Sequence, residues 1–161
     1  MQTITLIALG KLNAPYFRDA AAEYIKRLSA FCRLQLVELP EEAVAEKNAS
    51  PAVIEKALEK EGRAILSAVP KGAALVALCV EGRQMDSGEL AAYFAQKALS
   101  GAGDVAFVIG SSHGLSPAVK AAARQKLSMS RMTFPHQLAR VMLLEQIYRA
   151  FTINAGTRYH K

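Results

Sequence analysis

Short apolar runs alternate along this chain with longer stretches in which apolar side chains recur every three or four positions. Thr3–Leu9, ending at Gly10, reads as a buried strand. Asn13-Ala14-Pro15 supplies an N-cap with an early proline and predicts a helix to about Phe31. Arg33–Leu39 alternates as a second strand and stops at Pro40, and Glu41–Ala49 has the polarity of a loop. Ser50-Pro51 opens a helix carried to about Val69 by Ile54, Leu58, Ile65 and Leu66. Ala73–Val80 is apolar without interruption, the pattern of a strand covered on both faces. Asp86-Ser87-Gly88-Glu89 has capping-box spacing and predicts a helix through Leu99. Asp104–Ile109 is a further strand, ending in Gly110-Ser111-Ser112-His113-Gly114. Ser116-Pro117 predicts a short helix to about Lys126, Ser128–Phe134 a strand broken by Pro135, and Gln137 to about Ile153 a last helix.

Five strands alternating with five helices imply an α/β sandwich built on a mainly parallel sheet. With no internal repeat and no linker, residues 1–161 read as one domain. The last helix is unusual. Leu138, Val141, Met142, Leu143, Leu144, Ile147, Tyr148 and Phe151 leave it no wide polar face, so it must be covered on more than one side. A second copy of the chain is the expected cover, giving a homodimer. Glu145 and Arg149 stand at i,i+4 and are spaced to pair.

The chain is 52% hydrophobic and 21% charged, which excludes a disordered or low-complexity protein. The longest apolar run, around Ala73–Val80, is far short of the ~20 residues that span a bilayer. No basic residue precedes the first apolar run, so the start does not read as a signal peptide, and a cytoplasmic protein is expected. Cys32 and Cys79 form no disulfide framework, and with His113, His136 and His160 isolated no metal spacing is present.

Charge is segregated. Residues 114–161 hold eight Lys/Arg against the single acid Glu145, a net +7, while the first 113 residues hold 12 basic and 13 acidic side chains, a net −1. Clustered cations are rewarded by phosphate neutralisation and counterion release, which points to a polyanion partner. Phe134, Tyr148, Phe151 and Tyr159 lie among these charges and could stack on bases, although core packing is the better reading for Phe134 and Phe151.

The loop Gly110–Gly114 follows a strand and precedes a helix, where parallel sheets bind ligands. It is neither G-x-G-x-x-G nor a Walker A loop, so nucleotide fingerprints are absent, and a tight turn explains its glycines equally well. Small apolar packing is the default for both cysteines. The end Gly156-Thr-Arg-Tyr-His-Lys161 gathers Arg, Tyr, His and Lys and suits neither core nor cap; it reads as a ligand- or RNA-contacting element or as a frayed terminus.

Several blocks carry a resemblance. Phe107-Val-Ile-Gly110, Gly114-Leu-Ser116, Leu127-Ser-Met-Ser-Arg-Met-Thr-Phe-Pro-His-Gln137, Arg140-Val141, Glu145-Gln-Ile-Tyr-Arg-Ala150 and Tyr159-His160-Lys161 resemble the RlmH (YbeA-type) family of SPOUT-class RNA methyltransferases. The likeness runs from Ile4 to the last residue, and the Met-Thr-Phe-Pro-His-Gln block and the Tyr-His-Lys end are its most specific parts.

The resemblance implies an S-adenosylmethionine-dependent enzyme that methylates N3 of pseudouridine 1915 in helix 69 of 23S rRNA, acting on the ribosome as a homodimer without metal. It also implies a trefoil knot in the C-terminal part, about residues 73–161. Carried over by position, the cofactor pocket would use Leu78, Gly110 and the stretch Met129, Ser130, Arg131, Met132, Thr133 and Phe134. The sequence departs from many relatives at Ser111-Ser112-His113, where a second glycine is usual directly after the first. A side chain there would narrow the approach to the cofactor or demand an unusual φ.

The target imide N3 must lose its proton, and His160 has the chemistry for that role. Tyr159 is expected to orient the base, and Arg158, Lys161 and Arg140 to bind phosphate or stabilise an oxyanion. The competing classes are a non-catalytic rRNA-binding factor, a methyltransferase of a different RNA, and a small-molecule α/β enzyme. Cofactor binding separates the first from an enzyme, and the segregated charge disfavours the last.

Overall fold

A computed structural model describes residues 1–101 and 103–161. Along the described chain run β1 (Thr3–Leu9), α1 (Pro15–Leu28), β2 (Arg33–Leu39), a 3₁₀ turn (Glu46–Asn48), α2 (Pro51–Ala68), β3 (Ala74–Gln84), α3 (Ser87–Leu99), β4 (Val105–Ile109), α4 (Pro117–Ala122), β5 (Gln125–Ser128) and α5 (His136–Ala155). The strands form one parallel sheet in the order β2-β1-β4-β3-β5. This is the parallel α/β architecture expected from the alternation of elements.

Strand periodicity sorts side chains into two cores. Ile4 and Leu6 of β1, with Val105, Phe107 and Ile109 of β4, pack against α1, α3 and α5. Ile7, Leu9, Ala106 and Val108 face the opposite way, against Ile65 of α2 and Val119 of α4. Phe94 of α3 stacks on Phe151 of α5 with ring centroids 5.1 Å apart and meets Phe107 edge-on at 5.9 Å. The fully buried rings of Phe94 and Phe107 each contribute roughly 1.5–3 kcal/mol of transfer free energy, and half-buried Phe151 packs against them. Phe151 therefore belongs to the core, as expected.

Local signals were obeyed where a side chain closes the element. Ser50 accepts from Val53 N–H, Ser116 accepts from Val119 N–H, and Asp86 and Glu89 form a reciprocal capping box. At α1 the cap position falls on Ala14, which has no side-chain oxygen to cap with, one residue after Asn13, whose backbone N–H donates to Gln137 Oε1 of α5 at 2.9 Å. That helix stops at Leu28, whose carbonyl accepts from both Phe31 and Cys32.

The last strand lies earlier than its predicted span of Ser128–Phe134. Arg124 N–H reaches Leu75 O at 2.8 Å, so the chain has rejoined the sheet by Gln125, and α4 ends at Ala122 rather than Lys126. An edge strand tolerates the polar Gln125 and Lys126, which apolarity alone could not mark as strand. Residues 129–134 form a loop instead, held by Ser128 Oγ donating to Ser130 O and Met132 N–H donating to Ser130 Oγ. Among the described residues, no helix is long and apolar enough to cross a membrane and no cluster of metal-ligating side chains occurs.

Candidate active site

The carboxyl ends of β3, β4 and β5 open into a cleft of about 670 Å³. This is within the ~300–1,000 Å³ range of small-molecule sites, at the end of a parallel sheet where such sites form. Its apolar wall is made by Leu78, Ile109, Leu115, Met129, Met132 and Phe134. Ser112, Ser130, Thr133 and the peptide groups of Gly110 and Gly114 add polar groups. Phe134 is half-buried in this wall rather than in the core.

β3 contributes more than its regular part. Leu78 and Arg83 both pair with Leu127, so residues 79–82 loop out of the ladder and carry Cys79, Val80 and Glu81 to the cleft. Cys79 is thus a half-buried cleft residue, not an interior strand position, while Cys32 is buried and its thiol is pushed up to about 11 by burial. Gly82 is what allows the bulge to close. A Cβ there would sit 2.7 Å from the carbonyl carbon of Lys126.

The loop after β4 is a closed turn. Gly114 takes φ +88° and donates to Ser111 O at 2.9 Å, and a Cβ on Gly110 would lie 2.3 Å from Gly114 O. No residue other than glycine has positive φ among those described, so Ser111 and His113 are accommodated without backbone strain. Ser111 turns its hydroxyl away, donating to Glu61 Oε1 at 2.9 Å, while Glu61 Oε2 accepts from Glu42 N–H at 2.9 Å. Glu61 is buried on α2. A buried acidic side chain placed behind this loop left no spacing signal in the sequence.

Of the eight residues assigned to cofactor binding, Leu78, Gly110, Met129, Ser130, Met132, Thr133 and Phe134 line the cleft; Arg131 is exposed beside it. The tail is elsewhere. Tyr159 donates to Glu145 Oε1 at 3.1 Å and packs edge-on against Tyr148, and Arg149 lies over its ring. Burial, followed by hydrogen bonding with Tyr24 and Glu145, pushes the Tyr159 phenol up to about 12. His160 Nδ1 lies 3.3 Å from Arg149 Nη1. Since a guanidinium only donates, Nδ1 is the acceptor in this contact. Glu145 and Arg149 pair as their spacing predicted. The cleft touches α5 no further along than Ala139, and Glu145 lies about 9 Å onward at 1.5 Å per residue. The chain therefore does not bring its tail into its own cleft.

Arg140 needs correction as a substrate contact. It is 2% exposed, with Nη1 on Glu38 Oε2 at 2.6 Å and Nη2 donating to Gly10 O at 2.9 Å. It ties α5 to the ends of β1 and β2. Arg158 and Lys161 are exposed, as are Arg124, Lys126 and Arg131, so the basic excess of the last third remains largely available to a polyanion.

The family described as "Predicted SPOUT methyltransferase" matches residues 1–160. This chain belongs to that family. The SPOUT chain is 47% identical over 158 residues to a Ribosomal RNA large subunit methyltransferase H of Ligilactobacillus salivarius, covering 98% of this chain and 99% of the relative. It is 48% identical over the same length and coverage to the protein of that name from Clostridium acetobutylicum. A crystal structure of a probable methyltransferase from Bordetella pertussis Tohama I shares the fold, with a TM-score of 0.57 at 20% identity over 92% of this chain and 95% of that one.

Proposed function

We propose that this chain transfers a methyl group from S-adenosylmethionine to N3 of pseudouridine 1915 in helix 69 of 23S rRNA on the ribosome, working as a homodimer. The observation that carries the reading is the cleft formed by three loops at the ends of β3, β4 and β5, seven of whose lining residues are those the family resemblance assigns to the cofactor. Near-complete alignment with large-subunit rRNA methyltransferases supports the substrate class.

The residues present fit this cofactor. Leu78, Met129, Met132 and Phe134 offer an apolar slot for a purine, and the tight Gly110–Gly114 turn presents peptide groups at its edge. When bound, the sulfonium supplies an electrophilic methyl group for direct transfer to nitrogen. The chain's own residues must hold the target base in line and receive the N3 proton. His160 takes the proton once Nδ1 is released from Arg149, and Tyr159 orients the base. Exposed Arg158 and Lys161 hold rRNA phosphate.

Dimerisation solves the separation of tail and cleft. A groove of about 580 Å³ runs beside α5 between Tyr24, Met85, Val141 and Met142. Met129 lines both this groove and the cleft. A second copy seated there covers the outer side of α5, whose sheet-facing side and flanks its own chain already covers, and delivers its tail to the cleft. We further propose that the part after about residue 73 is knotted, as the resemblance to the RlmH family implies.

Calorimetry with S-adenosylmethionine, followed by base-resolved mapping of ribosomes incubated with the protein, tests the reading. Cofactor binding with one new methyl at that pseudouridine is expected, and His160→Ala should retain binding while losing single-turnover methylation. Absence of cofactor binding at millimolar concentration overturns the enzymatic reading and leaves an rRNA-binding protein.

A further inference from the structure

We propose that Glu81 and Lys120, facing each other at the rim of the cleft, form a subsite for an α-amino-acid zwitterion, the end of the cofactor that bears the α-ammonium and α-carboxylate. The proposal rests on the cofactor reading above and adds the residues that would recognise the half of the molecule an apolar slot cannot.

Glu81 stands on the loop that β3 throws out between Leu78 and Arg83, and Lys120 comes from α4. Both line the cleft, and Lys120 Nζ lies 2.5 Å from Glu81 Oε1. They supply the one carboxylate and the one ammonium among the described residues lining the cleft; the other titratable side chains there are Cys79 and His136. The hydrogen bond from Lys120 holds the Glu81 carboxyl below its ordinary value.

A zwitterion carries the same two charges as this pair. It can enter by exchanging partners, with its carboxylate on Lys120 and its ammonium on Glu81, without leaving an unmatched charge at the rim. The exchange is inexpensive because an ion pair as exposed as this one adds little stability of its own. Two charge-assisted contacts at fixed separation also select against ligands that lack either group.

The test compares S-adenosylhomocysteine with 5′-methylthioadenosine, which keeps the nucleoside and thioether but has no amino-acid end. Calorimetry is run on the wild type, Lys120→Met and Glu81→Gln. Each substitution should weaken S-adenosylhomocysteine by about tenfold or more, as expected for losing a charge-assisted contact, and leave 5′-methylthioadenosine unchanged. Equal weakening of both nucleosides, or of neither, overturns the subsite while the cofactor reading stands. A wild type that binds neither nucleoside overturns both. Because the control nucleoside reports on the slot in the same variant, a misfolded protein is recognised by the loss of both affinities together with its circular dichroism.

Discussion

Leu78 and Arg83 are opposed to a single residue, Leu127, and everything that β3 gives the cleft beyond Leu78 follows from that doubled pairing. The four residues between them cannot lie in the ladder, so they arch over the end of β5. The arch has no room at its base. Gly82→Ala places a methyl 2.7–2.8 Å from the Lys126 and Leu127 carbonyl carbons, which are backbone and cannot rotate away. Overpacking of this kind costs roughly 1–3 kcal/mol. Urea denaturation should show that loss, with weaker S-adenosylmethionine binding as Cys79–Glu81 are displaced. Unchanged stability would mean that the arch is loose.

Glu61 is the buried carboxylate behind the Gly110–Gly114 turn. Glu61→Ala strands Ser111 Oγ–H and Glu42 N–H, and each group left without a partner costs about 1–3 kcal/mol. Glu61→Gln retains one acceptor and should lose less. In a double-mutant cycle with Ser111→Ala the two effects should fall short of additive, since both remove the same bond. Strict additivity would deny the contact.

Arg140 and the tail cations separate structural from RNA-binding charge. Arg140→Ala leaves Gly10 O and Glu38 without their donor and should destabilise by roughly 1–3 kcal/mol. It should leave unchanged the slope of log affinity against log salt for ribosome binding. Arg158→Ala and Lys161→Ala should do the reverse, each lowering that slope by about one. A reduced slope for Arg140→Ala would restore it as a phosphate contact.

The tail should report its own docking through pH. Tyr159 is held in the neutral form by burial and by its bonds to Tyr24 and Glu145, with its pKa raised from 10.0 to about 12. A raised pKa means that the folded tail binds the phenolic proton more tightly than the undocked one. Its contribution is therefore complete below pH 10 and disappears as pH climbs through about 12. The ultraviolet difference titration of wild type against Tyr159→Phe should have its midpoint near the upper value. A midpoint near 10 would show the phenol in free solution.

Much of the architecture was legible because local chemistry and global fold agree. β4 announces itself by unbroken apolarity and β1 by a short β-branched and apolar run, and Asp86, Ser50 and Ser116 mark helix starts with their own side chains. β5 was misplaced because an edge strand carrying Gln125 and Lys126 resembles the end of a helix in composition. The cleft residues that pattern reading missed, Cys79–Glu81 and Lys120, depend on a register shift and on the packing of α4 beside it, which are tertiary facts. Arg140 was misread for a related reason. A lone cation in a basic segment looks free until Glu38, about a hundred residues away, is found beside it.

The strand order has a consequence for synthesis. β1 leaves its second edge open until β4 arrives, with Ile4 facing Val105 and Ala8 facing Ile109. Two-thirds of the polypeptide must emerge before the centre of the sheet can close, and such distant pairings make folding slow. A nascent chain halted before residue 105 leaves that second edge of β1 unpaired, and an unpaired apolar edge is a template for pairing with another chain.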